Sequence, residues 1–297
     1  MTQLKLALVQ MDTVLGDVDA NLAKHLAWVE AAGQQAADLI VFPELSLTGY
    51  RLMDLVPDVA RRPRPDDPTF GPLLEASRQL DMVVSFVEED ERHRYYIAAA
   101  YLSAGQLVHL HRKVYLPTYG LFEEGRFLDW GDQVQAFDTR FGRVGLLICE
   151  DFWHVSPPYL LWLDGAEIML FVSASPVRGL TEADQLGSAV WVERINQAYA
   201  SLFTTFVAHT NRVGYEDSLN LGGRATIFDP DGVRLAAGPK EGEGLVVAEI
   251  DLGQVRRSRL RLPLLRDERA DWVRRQLDRI LGLPGSTAWQ PPEETDS

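Results

Sequence analysis

Three polar residues have the types and surroundings needed for nucleophilic chemistry. Cys149 is the only cysteine and ends the apolar run LLIC, Glu44 lies in VFPEL, and Lys113 lies in HLHRKV. A thiolate attacks a carbonyl carbon far better than a thiol does, and an ordinary cysteine is mostly thiol at neutral pH. A partly desolvated carboxylate can take the thiol proton, and a lysine ammonium stabilises both a thiolate and an oxyanion. Together these residue types form a complete apparatus for acyl transfer.

Each of the three residues also has a plainer interpretation. A single cysteine at the end of an apolar strand is often only a small buried side chain. Glu44 would then cap the turn that follows it, and Lys113 would be an ordinary surface lysine. Taken singly, the plain interpretations are favoured. Taken jointly, in three sequence segments this specific, the catalytic interpretation is favoured.

The chain around these residues alternates between short β-type runs and longer helical runs, which predicts a mixed α/β fold. The predicted strands cover 4–11, 37–45, 82–89, 95–105, 106–114, 141–149, 167–175, 203–210, 224–232 and 245–252. The predicted helices cover 21–35, 73–80 and 186–202, and a hairpin turn is predicted at Ala104 and Gly105. The three polar residues therefore lie at or near strand ends, where α/β sheets collect catalytic groups.

The domain organisation follows from the absence of a flexible linker before residue 265. We predict one domain over 1–265, then a C-terminal helix and a disordered tail over 266–297. An Arg-rich amphipathic helix broken by proline is predicted within 257–285, with Trp272, Leu277 and Ile280 packed on a neighbouring element.

Composition excludes several classes of function. The net charge of −14 argues against binding of nucleic acid, which needs a basic face, and no apolar run approaches the roughly 20 residues that span a bilayer. One cysteine forms no internal disulfide and the N-terminal segment does not resemble a signal peptide, so we expect a cytoplasmic protein. His and Cys show no zinc-ligand spacing, so neither a metal nor an organic cofactor is expected.

Three segments resemble the signatures of the nitrilase superfamily of carbon–nitrogen hydrolases, in the family's order. They are FPELSLTGY around Glu44, HRKVYLPTYG around Lys113 and GLLICED around Cys149. Within the superfamily, the runs KVYLPTYGLFEEGRF, CEDFW and FVSASPVRG resemble the glutamine-hydrolysing domain of glutamine-dependent NAD synthetase. The resemblance covers about 4–265. It implies an αββα sandwich, with two mixed sheets between helix layers, and a homodimer or a larger even-numbered homo-oligomer.

The resemblance also implies a role for each matching residue. Glu44 would be the general base, Lys113 the stabiliser of thiolate and oxyanion, Cys149 the nucleophile that forms a thioester, and Glu124 the acid that positions the lysine. The implied substrate-binding residues are Tyr119, Glu150, Phe152, Ser173 and Arg178. Each of these residues also has a plainer interpretation. Glu124 could be a surface acid in a loop and Arg178 a surface arginine. The other four substrate-binding candidates could serve only in packing.

The implied activity is hydrolysis of a small carboxamide, with glutamine favoured and the ammonia passed to a separate synthetase. The segment 211–232 departs from the glutaminase pattern at Tyr215 and Ala225, and the sequence has no SGGxDS phosphate loop of an ammonia-using domain. Another ω-amide, an N-carbamoyl compound or a nitrile therefore stays open as the substrate. A catalytically silent subunit that binds a metabolite is the alternative from another class, and a redox-sensing thiol is disfavoured because there is no resolving cysteine.

Overall fold

Two six-stranded sheets pack face to face, and helices cover their outer faces. The computed structural model describes residues 3–177, 187–217 and 219–283. The strands are β1 (Gln3–Gln10), β2 (Leu39–Val41), β3 (Asp81–Glu89), β4 (Tyr95–Ser103), β5 (Gln106–Arg112), β6 (Phe137–Thr139), β7 (Gly142–Ile148), β8 (Ile168–Ser173), β9 (Phe206–Asn211), β10 (Val213–Glu216), β11 (Leu219–Gly222), β12 (Thr226–Phe228), β13 (Arg234–Ala237) and β14 (Gly244–Asp251). The helices are α1 (Val18–Gln34), α2 (Val56–Val59), α3 (Phe70–Ala76), α4 (Ser156–Leu163), α5 (Gly187–Phe203), α6 (Gly253–Arg261), α7 (Leu264–Asp267) and α8 (Ala270–Ile280).

Both sheets are mixed. The first has the strand order β14-β1-β2-β3-β4-β5 and the second β13-β12-β9-β8-β7-β6, while β10 and β11 form a separate hairpin. In the first sheet β1, β2 and β3 are parallel, and β14, β4 and β5 pair antiparallel to their neighbours. In the second sheet β7, β8 and β9 are parallel, and β6, β12 and β13 pair antiparallel. The predicted αββα architecture is confirmed.

The layers follow from the two-residue period of the strands. In β1, Leu6 and Leu8 pack in the core between the two sheets, whereas Ala7 and Val9 pack in the outer core with residues of α1 and α3. Strands buried on both faces need apolar side chains at nearly every position, which is why runs such as LKLALVQM read as continuous apolar segments. The second sheet repeats the arrangement against α4 and α5.

Two of the predicted strands form only three residues each in the structure. The run 37–45 forms only β2, which ends at Val41, because Pro43 has no N–H for the ladder and Leu45 has a φ of 49°. The run 224–232 forms only the three residues of β12. The predicted hairpin turn is confirmed, since Ala104 and Gly105 have φ values of 51° and 80°, the left-handed pair that a two-residue hairpin loop uses.

The C-terminal helices differ from the prediction in their packing. Pro263 separates α6 from α7, so the predicted break is confirmed. The expected packing of α8 is wrong, because Trp272, Leu277 and Ile280 are each at least 50% exposed and α8 contributes no buried residue. The breaks on either side of α7 leave the apolar side of α8 uncovered by the described part of the chain. No helix within the described ranges is both long and apolar enough to cross a membrane.

Candidate active site

The three predicted catalytic residues meet where strands from both sheets end. Lys113 directly follows β5, Cys149 directly follows β7, and Glu44 comes three residues after β2. Because β4 is antiparallel to both β3 and β5, strands β2 and β5 point the same way, and their carboxyl ends share one edge. Lys113 Nζ donates to Glu44 Oε1 at 2.8 Å, and the Cys149 sulfur interacts electrostatically with both charged groups.

Lys113 is fully buried between two carboxylates. Its Nζ also donates to Glu124 Oε1 at 2.8 Å. Burial alone would lower the pKa of Lys113, but the Glu124 and Glu44 carboxylates outweigh burial and raise it well above its ordinary value. Burial also raises the pKa of Glu124 to about 7, against the opposing effect of the lysine. Glu124 is only 7% exposed, so it is not a surface acid.

The second oxygen of Glu44 ties the first sheet to the second. The backbone N–H of Ala174, just after β8, donates to Glu44 Oε2 at 2.7 Å. Glu44 is fully buried, and each carboxylate oxygen has a partner. A carboxylate held at both oxygens has a fixed orientation, as a general base requires.

Tyr50 holds Glu124 and was not singled out in the sequence. Its hydroxyl donates to Glu124 Oε1, and its backbone N–H donates to Glu216 Oε1 at 2.8 Å. Glu216 is in turn paired with the fully buried Arg212, whose Nη2 donates to Glu216 Oε2 at 2.8 Å. The available signal was the position of Tyr50 at the end of FPELSLTGY, one of the resembling segments.

Cys149 is a strained residue with a protonated sulfur. It has a φ of 47° and begins a 3₁₀ turn that runs to Trp153. Its Sγ lies 3.4 Å from Ser175 Oγ. Burial and the Glu44 charge raise the pKa of the Cys149 thiol well above its ordinary value, and Lys113 and Ser175 oppose them only in part. The resting sulfur is therefore a thiol, and its proton must leave as the sulfur attacks.

The rate of Cys149 alkylation should rise about tenfold for each pH unit between 7 and 10. Only the thiolate reacts, and below the raised pKa its fraction grows by that factor. The rate of iodoacetamide labelling, followed by intact-protein mass at several pH values, measures this dependence. A rate that is constant across the range would mean that the thiolate is already formed and would contradict a resting thiol.

Asp151 connects the cysteine turn to the lysine loop. Its Oδ1 accepts hydrogen bonds from the backbone N–H groups of Val114 and Tyr115, both at 2.9 Å. Its Oδ2 accepts one from the backbone N–H of Ile148 at 3.1 Å. His111 Nε2 lies 2.8 Å from the same Oδ2. Asp151 is fully buried and sets the position of Cys149 relative to Lys113.

Asp151→Asn should lower the free energy of unfolding by about 1.5–3 kcal/mol and reduce any activity of the site. An asparagine accepts through one oxygen only, so the Ile148 N–H would face an NH₂ group. Urea unfolding together with activity measures both effects. Asp81→Asn is the matched control, because Asp81 is buried and accepts from Tyr101 and Ser103 away from the site. If both variants lose activity equally, Asp151 has no special positioning role.

A cavity of about 210 Å³ opens at Cys149. Tyr119 and Glu150, two of the residues expected to bind substrate, line it, and the Tyr119 hydroxyl donates to Glu150 Oε2 at 3.0 Å. Tyr119 is 54% exposed and marks the mouth, whereas Glu150 is 9% exposed. Ser175 lines the cavity next to the cysteine. Arg178 lies outside the described residues.

Phe152 and Ser173 lie behind the cavity wall, which corrects the expectation that they line it. Both are fully buried. Phe152 stacks on Phe171 with ring centroids 4.8 Å apart, and Ser173 Oγ lies 3.1 Å from His209 Nε2. Strand β8 ends at Ser173, and it is Ser175, two residues later, that borders the cavity.

Other cavity residues were not predicted. They include Asn211 and His209 from the end of β9, Arg224 and Thr226 from around the start of β12, and Val192 from α5. Asn211 Oδ1 accepts from Ser175 N at 2.8 Å and Asn211 Nδ2 donates to Ser175 O at 3.2 Å, which fixes the backbone beside the cysteine. Among the residues described, no cluster of His, Cys, Asp and Glu fits a metal ion.

Comparison with known proteins identifies the family. The carbon–nitrogen hydrolase family model matches residues 5–260. Glutamine-dependent NAD(+) synthetase of Acinetobacter baylyi is 30% identical over 86% of this chain, and N-carbamoylputrescine amidase of Solanum lycopersicum is 27% identical over 86% of this chain and 89% of that protein. The chain spans only 46% of the A. baylyi synthetase.

Solved structures agree with this assignment. The glutamine-dependent NAD+ synthetase of Acinetobacter baumannii superposes with a TM-score of 0.74 at 28% identity, over 84% of this chain and 46% of that one. A carbon–nitrogen hydrolase from Helicobacter pylori superposes with a TM-score of 0.79 at 22% identity, over 94% and 99%, and shares the fold. The chain thus belongs to the carbon–nitrogen hydrolase family and is an enzyme of that class.

Proposed function

We propose that this chain hydrolyses a small carboxamide through a thioester on Cys149 and releases ammonia. The observation that carries the proposal is the buried cluster of Cys149, Glu44 and Lys113, whose cysteine lines a cavity. A thiol, a fixed carboxylate and an ammonium supply the nucleophile, the proton acceptor and the oxyanion stabiliser that acyl transfer needs.

The reaction would run in two halves. Cys149 Sγ attacks the amide carbonyl carbon while its proton passes to Glu44, and the oxyanion of the tetrahedral intermediate is stabilised by the Lys113 ammonium. Collapse breaks the C–N bond, the leaving nitrogen takes the proton from Glu44, and ammonia departs. Water then attacks the thioester, Glu44 accepts its proton, and the carboxylic acid leaves as the thiol is restored. Glu124 would hold Lys113 in place throughout.

Charges in the cavity favour an amino-acid amide such as glutamine. Glu150 suits a substrate ammonium, and Arg224 lines the same cavity, half-buried, with no pairing partner among the described residues. An unpaired arginine suits a carboxylate. The similarity to proteins named glutamine-dependent NAD(+) synthetase points the same way, and the similarity to N-carbamoylputrescine amidase keeps other ω-amides and N-carbamoyl compounds as the second candidate class.

A survey of ammonia release tests the substrate class. The wild-type protein is incubated with glutamine, asparagine, simple ω-amides, an N-carbamoyl amine and a nitrile, and ammonia is measured by an enzyme-coupled assay. Release that is fastest from glutamine supports the glutaminase assignment. Release from another amide alone keeps the hydrolase and discards glutamine. No release from any compound would favour a silent metabolite-binding subunit.

Two expectations about partners extend the proposal. We propose that the chain forms a homodimer or larger even-numbered assembly, and that a separate ammonia-using synthetase receives its product. Light scattering of the purified chain tests the first. The rate of the synthetase reaction with glutamine as the nitrogen source tests the second. That rate should rise when this chain is added, and it should not rise when free ammonia is already saturating.

A further inference from the structure

Two side chains in the buried part of the cavity wall have an atom without a hydrogen-bond partner. His209 is 2% exposed and Thr226 is 3% exposed, and both line the cavity. His209 Nδ1 and Thr226 Oγ1 have no partner within the described part of the chain. Leaving a polar atom buried and unpaired costs free energy, so native proteins rarely do so without a reason.

The strand register brings these two residues together. Thr226 of β12 lies directly opposite His209 of β9 in the antiparallel ladder. Residues opposite each other in such a ladder project from the same face of the sheet. Two residues further along each strand, Val207 and Phe228 pack in the outer core with Val192 of α5, so this face is the one that α5 covers. The two side chains therefore border one space, between the second sheet and α5.

The chemistry of the pair suits an uncharged ligand group. Burial lowers the pKa of His209 to about 3, so the imidazole is neutral at neutral pH. Its Nε2 is already within 3.1 Å of Ser173 Oγ, which leaves Nδ1 as the free position. A neutral imidazole nitrogen and a hydroxyl donate or accept hydrogen bonds, but neither balances a charge. Neither of these two side chains would compensate a carboxylate or an ammonium for the water that it loses on binding.

We propose that His209 and Thr226 form a subsite for an uncharged polar group, a hydroxyl or carbonyl, on the acyl part of the amide substrate. The inference rests on the proposed function, because it assumes that the acyl part of an amide attacked by Cys149 occupies this cavity. Beyond its reacting amide, glutamine has only an ammonium and a carboxylate. The subsite therefore predicts an amino-acid amide that resembles glutamine in its charged groups and carries a neutral polar substituent in addition.

Matched pairs of amides test the subsite. Each pair is an unbranched alkanamide and its terminal hydroxyl derivative, over several chain lengths, with kcat/KM measured for both members. The wild-type protein should prefer the hydroxyl member by about tenfold at one chain length. Thr226→Val keeps the side-chain shape and should reduce that ratio at least threefold, whereas Thr226→Ser should retain it. Thr205→Val is the control, because Thr205 is a buried threonine that bonds Ala166 O outside the cavity and should leave the ratio unchanged.

Binding separates failure of the subsite from failure of the proposed reaction. The same pairs are titrated calorimetrically into Cys149→Ala protein, with and without Thr226→Val. Tighter binding of the hydroxyl member that Thr226→Val removes would support the subsite even if no amide is hydrolysed. Equal kcat/KM and equal binding for both members at every chain length would overturn it, as would a preference that Thr226→Val leaves unchanged.

Discussion

Replacing Cys149 with alanine should lower amide hydrolysis by at least about 10⁴-fold while the protein stays folded. The sequence has no second cysteine to take over the attack, and Cys149 lines the cavity and interacts electrostatically with Glu44 and Lys113. Alanine has the same backbone constraints at a φ of 47°, so the free energy of unfolding should change by about 1 kcal/mol or less. Ammonia release and urea unfolding measure the two effects.

Cys149→Ser is the companion variant. Serine keeps the shape and a hydroxyl near Ser175, but an alcohol is a far weaker nucleophile than a thiolate when no histidine base accompanies it. It should also lose most activity, which separates loss of the nucleophile from loss of volume. Wild-type turnover in Cys149→Ala would reject the mechanism outright.

Glu44→Gln should reduce turnover by at least about 10³-fold. A glutamine accepts no proton from the thiol or from water, so both halves of the reaction lose their base. Its NH₂ group would also face the backbone N–H of Ala174, which donates a hydrogen bond of 2.7 Å to Glu44 Oε2 in the wild-type protein. We therefore expect a fall of about 1.5–3 kcal/mol in the free energy of unfolding as well.

Glu88→Gln is the matched control for that stability loss. Glu88 is 4% exposed and accepts two bonds of 2.6 Å from Arg112, the residue next to Lys113. Its substitution should destabilise the protein to a similar extent and leave turnover nearly unchanged. Equal loss of turnover in the two variants would show that Glu44 acts only through stability.

The layers and the catalytic cluster are predictable from sequence for a physical reason. Strands buried on both faces have to be apolar throughout, so they stand out as runs, and the polar residue after each run is conspicuous. Glu44 and Cys149 each come just after such a run, whereas Lys113 follows β5, a largely exposed strand with the sequence QLVHLHR. Glu44 and Lys113 follow strands that point the same way in the first sheet, and packing of the second sheet against the first brings Cys149 to them.

The cavity wall was less predictable because it depends on where strands stop and which face borders the opening. Ser173 and Ser175 are both serines of the SAS run, but only Ser175 lies beyond the end of β8 and borders the cavity. His209 lies within a strand, where sequence alone does not distinguish a packed histidine from one facing a cavity. Asp151 is one of two acids after the cysteine, and only the folded chain shows that it bridges two loops.

The most direct test of the central claim is the intact mass of the protein quenched in acid during turnover of its best amide substrate. The account predicts a species heavier by the acyl group, mapped by peptide mass to Cys149, absent from Cys149→Ala and lost on treatment with hydroxylamine. A burst of ammonia release before the steady state would show that an intermediate accumulates. Such a burst with no acylated species in the mass spectrum would contradict a thioester on Cys149.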